Sequence, residues 1–532
     1  MRALLMVALA ALTLQAVPAA TAAPVPSDAG GWTLPRLTVE DGTIKDVDGR
    51  TVLLRGANVN GLNDYASNGT GLPTVAPLDR TDFEGMAALG FDVVRLNVAW
   101  SALEPTPGAF DAAYVGRIRE AVQDAKDNGI YTVLDMHQDA WGPYVGTPEG
   151  QDCPPLLQRG IGWDGAPEWA TLTGGWTTCN IGGQREASPA VARAFQAFYD
   201  DEQGVQGHLV QTWARLAAEF KNEPAVVGYD LLNEPNPGLR DPFTAADQIG
   251  RFYQRAIAAI RQAETGGFPH LVMFEPSALW SAFGFDALPP RHYLADPLVV
   301  FSPHLYSQSI NVSSEFPSIE DGFRIAAAAA DWYGAPLWTG EWGWFGEPDD
   351  QAGEVHRFVD AMNTHRIGGA WWSWTQACGD PHAVKDGNTA RPQGNLNRID
   401  CPSGDEQGLA GRGVRGAALP GLPAGRAGTD RGDGERIPRR RHRARRGLVP
   451  GRRASAGEHG ERHRSRPHRG RRGMAADRSG CWRVLRHQRL SDRLGLGRSG
   501  RTRAPAVAIC SDHPLRHRGQ RCADRLGGVE AA

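Results

Sequence analysis

Cysteine is scarce in this chain, with seven in 532 residues. That scarcity excludes the disulfide-dense scaffolds that replace a hydrophobic core in small exported domains. Four cysteines precede the C-terminal segment: Cys153 and Cys179 lie in one loop, and Cys378 and Cys401 follow the last apolar run. This even number is compatible with two local disulfides, 153–179 and 378–401, in an exported protein. The remaining three have no zinc-ligand spacing.

Apolar stretches long enough to span a bilayer are also lacking, which argues against a transmembrane helix. The apolar stretch Ala3–Leu14 follows Arg2 and precedes small residues that end in the A-x-A pattern of Ala20–Ala22. This is the pattern of a secretory signal peptide. We therefore expect residues 1–22 to be a signal peptide and the protein to be secreted to the extracellular space.

Lysine is absent after residue 401, where 31 arginines accompany 12 acidic residues, whereas residues 1–401 carry 26 basic and 48 acidic side chains. Residues 411–532 contain one aromatic residue, Trp482, and no clear apolar period, so this tail is expected to lack a stable fold. Three interpretations compete: a shifted reading frame near Gly408–Arg415, a disordered extension, and a basic arm for nucleic acid. We favour the shifted frame, because other frames of GC-rich DNA encode Arg, Gly and Ala. We expect no nucleic-acid partner.

Strand-like apolar runs alternate with helical patterns, after a predicted hairpin at Leu37–Gly56. The helical patterns include Ala112–Gly129 and Gly207–Asn222. The predicted strands are Thr51–Asn58, Val93–Ala99, Tyr131–His137, Val226–Asn233, Leu271–Glu275, Val299–His304, Leu337–Glu341 and Gly368–Trp374. Eight strands in this alternation predict an α/β fold of the (β/α)8 TIM-barrel type over residues 34–401.

Two glutamates end apolar runs that are about a hundred residues apart. Glu234 closes AVVGYDLLNEP, and Glu341 lies in APLWTGEW. Catalytic groups of (β/α)8 barrels lie at the C-terminal ends of the strands. Two carboxyl groups that face one pocket are the minimal apparatus for cleaving a glycosidic bond, one as proton donor and one as a charged nucleophile. Asn233, beside the first glutamate, could donate a hydrogen bond to a sugar hydroxyl.

Further polar and aromatic residues lie near the predicted strand ends. Arg95 could hold the nucleophile charged, and a tryptophan on the last strand could stack on a sugar ring. The candidate supporting residues are Arg95, His137, Asp139, His304, Tyr306 and Trp372. Glu275 also ends a strand, but no amide or aromatic cluster surrounds it, so it ranks third among the acids. We expect no cofactor and no metal, because the histidines and carboxylates lack close ligand spacing.

Together the motifs resemble glycoside hydrolase family 5. The segments RLNVAW, LDMHQDAW, GYDLLNEP, PHLYS, TGEWG and WWSW follow in the order of that family, over about Leu34–Cys401. The resemblance implies a retaining hydrolase with Glu234 as acid/base and Glu341 as nucleophile, supported by Asn233, Arg95, His137, His304, Tyr306 and Trp372. Within the family the phrasing is most similar to endoglycoceramidases, which implies that Trp169 and Asp139 help to hold the sugar. It also implies a C-terminal β-sandwich, which the arginine-rich tail does not resemble.

The endoglycoceramidase resemblance implies cleavage between glycan and ceramide, with a glycolipid or oligosaccharide as substrate. Apolar residues in the barrel-mouth loops favour a lipid substrate at a micelle or membrane surface; the alternative is that they pack on one another. These residues are Pro242, Phe243, Leu279, Trp280, Phe283, Phe285, Trp344 and Phe345. Two alternatives remain: a β-glucanase or mannanase on the same scaffold, and an inactive carbohydrate- or lipid-binding barrel.

Overall fold

The computed structural model describes residues 34–310, 316–345, 351–385, 388–389 and 391–410. The predicted signal peptide, residues 1–22, and the predicted unstructured tail, residues 411–532, lie outside the described residues. No helix within the described ranges is both long and apolar enough to cross a membrane.

Within these ranges, eight parallel strands form one sheet. They are β3 (Arg55–Val59), β4 (Val93–Ala99), β5 (Tyr131–His137), β8 (Val226–Asp230), β9 (Leu271–Phe274), β10 (Val299–Phe301), β11 (Trp338–Trp342) and β12 (Gly368–Trp371). The order in the sheet is β10-β9-β8-β5-β4-β3-β12-β11. Parallel bridges from Phe301 to Leu337 and from Leu305 to Trp342 join the two edges. The predicted (β/α)8 barrel is therefore confirmed.

Helices connect consecutive barrel strands and pack on the outside of the sheet. They are α1 (Arg80–Ala88), α2 (Trp100–Leu103), α3 (Ala112–Asp127), α4 (Pro189–Tyr199), α5 (Val205–Phe220), α6 (Pro242–Ala263), α7 (Leu279–Phe283), α8 (Ile319–Tyr333) and α9 (Ala352–His365). Side chains before the first turn cap several of them; Asp111 accepts from Tyr114 N, and Asp241 accepts from Thr244 N. Helices α3 and α5 match the two predicted patterns within about two residues.

Short antiparallel pairs decorate the barrel. They are β1 (Leu37–Glu40) with β2 (Thr43–Asp46), β6 (Leu157–Gln158) with β7 (Asn180–Ile181), β13 (Val384–Lys385) with β14 (Asn388–Thr389), and β15 (Asn397–Ile399) with β16 (Glu406–Leu409). The first pair is the predicted hairpin. Disulfides join Cys153 to Cys179, across the loop that carries β6 and β7, and Cys378 to Cys401.

Side-chain alternation along the strands separates two buried environments. On β4, Val94 and Leu96 pack in the large apolar layer between sheet and helices, whereas Val93 belongs to the smaller cluster inside the barrel. Arg95 is the next residue on the inner side, and it is fully buried. The barrel interior is thus apolar near the N-terminal ends of the strands and charged near their C-terminal ends, where the predicted catalytic residues lie.

Three predicted strands extend too far. The strand predicted as Val226–Asn233 ends at Asp230, the one predicted as Val299–His304 ends at Phe301, and the one predicted as Gly368–Trp374 ends at Trp371. In each case the residues after the strand are still buried, so the apolar pattern continues, but their backbone is no longer part of the strand ladder.

Replacing Trp338 with alanine should lower the free energy of unfolding by about 3–5 kcal/mol, since a fully buried indole inside the barrel leaves a large cavity. Chemical denaturation measures this change. The matched control is Trp332→Ala, at a position that is 47% exposed. We expect the control to change stability by less than about 1 kcal/mol; equal losses in both variants would contradict the assignment of Trp338 to the core.

Candidate active site

A cavity of about 1200 Å³ opens at the C-terminal ends of the barrel strands. Its lining includes most of the predicted site residues: His137, Asp139, Glu234, Tyr306, Glu341 and Trp372. The loop between β5 and α4 forms one wall and contributes Trp163 and Arg185. The barrel therefore brings together residues that the sequence separates by more than 200 positions.

Glu234 and Glu341 face each other across this cavity. One carboxylate oxygen of each, together with a ring nitrogen of His304, lie within 4.8 Å of one another. Glu341 is on β11, and Glu234 lies in the turn that follows β8. Both predicted catalytic acids thus reach one space from strands that lie three places apart in the barrel.

Two donors hold the Glu341 carboxylate. Arg95 Nη1 donates to Oε1 at 3.0 Å, and the Tyr306 hydroxyl donates to Oε2 at 2.8 Å. Glu341 is 5% exposed. Its two oxygens are therefore fixed in direction, which is what an attacking carboxylate requires.

A different set of donors surrounds Glu234. Its Oε1 accepts a hydrogen bond from Ser281 and lies 2.9 Å from His304 Nδ1, and its Oε2 lies 3.7 Å from Arg185 Nη2. The backbone of Glu234 has φ of 36°. For a non-glycine residue this left-handed conformation costs on the order of 1–3 kcal/mol, and such strain concentrates at functional sites.

A retaining mechanism needs a higher pKa for the acid/base than for the nucleophile, and here the pKa values of Glu234 and Glu341 shift in the reverse sense. Burial raises the pKa of Glu341, although His304 and Arg95 oppose this. At Glu234 burial also acts to raise the pKa, but the hydrogen bond and charge of His304 and the charge of Arg185 outweigh it, so the pKa lies below its usual value. In this site Glu234 is therefore the more acidic of the pair.

Arg95 is the central cation of the site. Its guanidinium lies 2.9 Å from Asp135 and Asp230 and from Glu275, and 3.0 Å from Glu341. Burial acts to lower the pKa of Arg95, but these four carboxylates hold it well above its usual range. Burial raises the pKa of Asp230 to about 8, so the cluster carries fewer negative charges than its carboxyl groups suggest.

His137 and Asp139 also line the cavity. The His137 ring stacks on Trp372 with centroids 5.2 Å apart, and its Nδ1 lies 2.6 Å from Asp135 Oδ2. Asp139 Oδ1 pairs with Arg185 at 2.8 Å. Among the described residues, neither His137 Nε2 nor Asp139 Oδ2 has a hydrogen-bond partner, although both atoms are buried.

Two predicted residues have other contacts than those expected. Asn233 is 1% exposed; its Oδ1 accepts from Arg95, and its Nδ2 donates to the carbonyl oxygen of Gln138. Trp169 is not part of the cavity lining, because its indole N–H donates to the carbonyl oxygen of Glu104 and its ring packs on Trp100 with centroids 5.4 Å apart. Trp163 is the tryptophan that this loop presents to the cavity.

Three groups of side chains in the described ranges lie close enough to hold a metal ion. They are His137 with Asp139 and Asp164, Glu234 with His304 and Glu341, and Asp135 with Asp230 and Glu275. The absence of a ligand spacing in the sequence therefore does not rule out a metal site, because these side chains come together only in the fold. The third group already surrounds the Arg95 guanidinium, and the second contains His304, whose pKa is raised well above its usual value because the nearby Glu275 and Glu341 outweigh burial.

Sequence reasoning missed several residues of the site. Gln138 Nε2 donates to the Glu234 carbonyl at 3.2 Å, and Arg185 and Ser281 contact the Glu234 carboxylate. His382, from the segment after β12, lies 3.5 Å from Asp139. Only Gln138 had a usable signal, because it falls within LDMHQDAW; the others come from loops whose sequences do not reveal where they fold.

A family model described as Cellulase (glycosyl hydrolase family 5) matches residues 48–378. The chain belongs to glycosyl hydrolase family 5. The predicted membership is confirmed, and so is the likeness of this family 5 chain to endoglycoceramidases. A solved structure of an endogalactoceramidase is 94% identical, with a TM-score of 0.71 over 73% of this chain and 85% of that one.

Other family relatives are more distant. Endoglycoceramidase I of Rhodococcus hoagii (strain 103S) is 29% identical over 283 residues, which are 50% of this chain and 52% of the relative. The chain spans about half the length of the curated relatives that it matches first. A lactosyl-enzyme intermediate of endo-glycoceramidase II from Rhodococcus sp. is 26% identical, with a TM-score of 0.52 over 66% of this chain and 82% of that one.

Replacing Arg185 with glutamine should raise the pKa of Glu234, because the variant lacks the cation that lies 3.7 Å from its carboxylate. The alkaline limb of the pH profile of kcat/KM, measured with an alkyl β-glycoside whose leaving group needs a proton from the acid, should then move to higher pH. Arg193→Gln is the control, because Arg193 pairs with Glu202 and not with the cavity acids. A limb that stays in place, or moves to lower pH, would contradict the electrostatic role of Arg185.

Proposed function

We propose that this protein hydrolyses the β-glycosidic bond between glycan and ceramide in glycosphingolipids, with galactose as the ceramide-linked sugar. The observation that carries the proposal is the 94% identity to an endogalactoceramidase. The pair of glutamates in one cavity supplies chemistry that suits such a reaction.

In the proposed reaction, Glu341 attacks the anomeric carbon while Glu234 donates its proton to the departing ceramide oxygen. A covalent glycosyl-enzyme forms and ceramide leaves as the free alcohol. Glu234 then removes a proton from water, which attacks the anomeric carbon and releases the glycan and the Glu341 carboxylate. Configuration is retained because the anomeric carbon is inverted twice.

Two observations support retention. The carboxylate oxygens of Glu234 and Glu341 approach within 4.8 Å, near the separation of about 5–5.5 Å that is typical of retaining glycosidases. The 26% identical endo-glycoceramidase II has been solved as a lactosyl-enzyme intermediate. An aglycone that covers the cavity would bury Glu234 further, and burial raises the pKa of a carboxyl group toward what a proton donor needs.

Two buried polar atoms that make no hydrogen bond suit the sugar. His137 Nε2 and Asp139 Oδ2 lie 3.8 Å apart, and each would gain a hydrogen bond from a glycan hydroxyl. Trp372 stacks on His137 and lines the cavity, where its indole can contact the sugar ring. We assign this side of the cavity to the glycan.

Apolar side chains in the cavity lining suit ceramide. They are Val191, Ala192, Leu279, Ala282, Phe283, Ile310 and Phe345. Phe283 and Ile310 remain 42% and 43% exposed. Exposed apolar side chains beside a cavity favour a hydrocarbon chain or the surface of a micelle. We also propose that the protein acts after export, where its two disulfides would persist.

The test is to incubate the purified protein with a glycosphingolipid of β-galactosyl linkage in detergent micelles and to measure ceramide and intact glycan. We expect both products in equal amounts, with less from a glucosyl-linked lipid. Glu341→Gln should reduce turnover on the order of 10³-fold or more while the substrate still binds. Release of oligosaccharides from β-glucan without any ceramide would instead favour the polysaccharide hydrolase, and binding without turnover by the unaltered protein would favour the inactive barrel.

A further inference from the structure

Glu275 follows β9 and lies behind the catalytic pair. It is 1% exposed and is not among the residues that line the cavity. Its Oε2 accepts a hydrogen bond from the backbone N–H of Glu234 at 2.9 Å. Its Oε1 accepts from Arg95 Nη2 at 2.9 Å and lies 3.2 Å from His304 Nε2. The Glu275 carboxylate therefore contacts the backbone of Glu234 and two further groups: Arg95, which pairs with Glu341, and His304, which lies beside Glu234.

The contact with the Glu234 backbone has a specific consequence. Glu234 adopts φ of 36°, a conformation that a non-glycine residue keeps only when its surroundings enforce it. The hydrogen bond from the Glu234 N–H to the Glu275 carboxylate is charge-assisted and buried, and such bonds are strong. Loss of this bond would free the Glu234 backbone and displace its carboxyl group from the cavity centre.

The charge of Glu275 acts on His304 as well. The charged groups that face this ring are Glu234 and Glu341 at Nδ1, at 2.9 and 3.3 Å, and Glu275 at Nε2. Arg95 lies behind Glu275 and Glu341 and pairs with both. A carboxylate at Nε2 favours the doubly protonated ring, which then donates toward Glu234 and orients its carboxylate.

Glu275 is itself held from the helix layer. The Tyr253 hydroxyl, on α6, donates to the Glu275 carbonyl oxygen at 2.9 Å and accepts from the Glu275 N–H at 3.3 Å. Tyr253 is fully buried. A continuous chain of contacts thus runs from α6 through Glu275 to the backbone of Glu234.

We propose that Glu275 is a positioning residue, held by Tyr253, that fixes the backbone of Glu234, acts on the ring of His304 through its charge, and so directs the acid/base carboxyl at the glycosidic oxygen. This role rests on the proposed function of Glu234 as acid/base. The sequence ranked Glu275 third among candidate acids; the contacts give it a place in the machinery without contact with the sugar.

A glutamine at position 275 keeps the shape but not the acceptor pattern. Each carboxylate oxygen meets N–H donors, so the glutamine NH₂ must oppose either the Glu234 N–H or the Arg95 guanidinium. Glu275→Gln is therefore a test of the contacts rather than of packing. Tyr253→Phe removes one hydroxyl that is separated from the sugar by Glu275 and Glu234, and it is the milder variant.

Glu264 offers a matched control. Like Glu275 it is a buried glutamate that accepts from a backbone N–H, that of His270, and pairs with a histidine ring and with Arg261. It does not line the cavity and contacts neither catalytic acid. Glu264→Gln therefore measures the general cost of neutralising a buried glutamate in this fold.

The experiment compares two substrates that carry the same glycan: the glycosphingolipid, whose ceramide alcohol needs a proton from the acid, and the 2,4-dinitrophenyl glycoside, whose leaving group does not. Glu275→Gln should lower kcat on the glycolipid by about 10²-fold. The burst of dinitrophenolate from the aryl glycoside should slow by less than about 10-fold, and azide should accelerate the later turnover. Tyr253→Phe should change the ratio of the two rates in the same direction, and Glu264→Gln should leave it unchanged.

Equal losses on both substrates in Glu275→Gln and in Tyr253→Phe would overturn the proposal in favour of a purely structural role, and so would unchanged rates. If Glu275→Gln does not fold, the ratio in Tyr253→Phe decides. Turnover of both substrates by the unaltered protein with no change of ratio in the variants overturns the role of Glu275 alone. An unaltered protein that cleaves neither substrate overturns the proposed function and this role with it.

Discussion

The buried guanidinium of Arg95 is the interaction on which the site depends. Asp135, Asp230, Glu275 and Glu341 lie on or just after four different strands, and the guanidinium of β4 contacts all four carboxylates. Neither a buried cation nor buried carboxylates would be tolerated alone, because each would lose its hydration without compensation. Mutual pairing makes the cluster possible, and it thereby ties five strands together at the end of the barrel where the cavity opens.

This charged layer rests on an apolar one. Below Arg95 the barrel interior is filled by residues such as Val93, Val133 and Trp338, which exclude water from beneath the ion cluster. Low polarity strengthens each charge interaction above it and leaves Asp230 with a pKa of about 8. The His304 ring lies between Glu234 and Glu341, whose pKa values shift in opposite directions from their usual values.

The sequence predicted the barrel well, because strand-length apolar runs and helix patterns report burial directly. It also pointed to Glu234, Glu341 and most of the residues that the fold brings to one cavity, since each follows or belongs to such a run; their catalytic roles stay predictions. It could not predict Glu275 as a contact of Glu234, because the two are 41 positions apart and their pairing depends on the register of β8 and β9. Arg185, Ser281 and His382 come from loops, and Trp169 was assigned to the sugar although its indole is bonded to Glu104. The relative acidity of the two glutamates depends on His304 and Arg185, whose positions only the fold determines.

The central claim is that Glu341 attacks the sugar while Glu234 serves as acid/base. The most direct measurement is to inactivate the protein with a 2-deoxy-2-fluoro glycosyl fluoride of the preferred glycan, digest it, and locate the attached sugar by peptide mass spectrometry. The account predicts one glycosyl group on the peptide that contains Glu341 and none on that of Glu234 or Glu275. Attachment to either of those two residues, or steady turnover of the reagent with inversion of configuration, would contradict it.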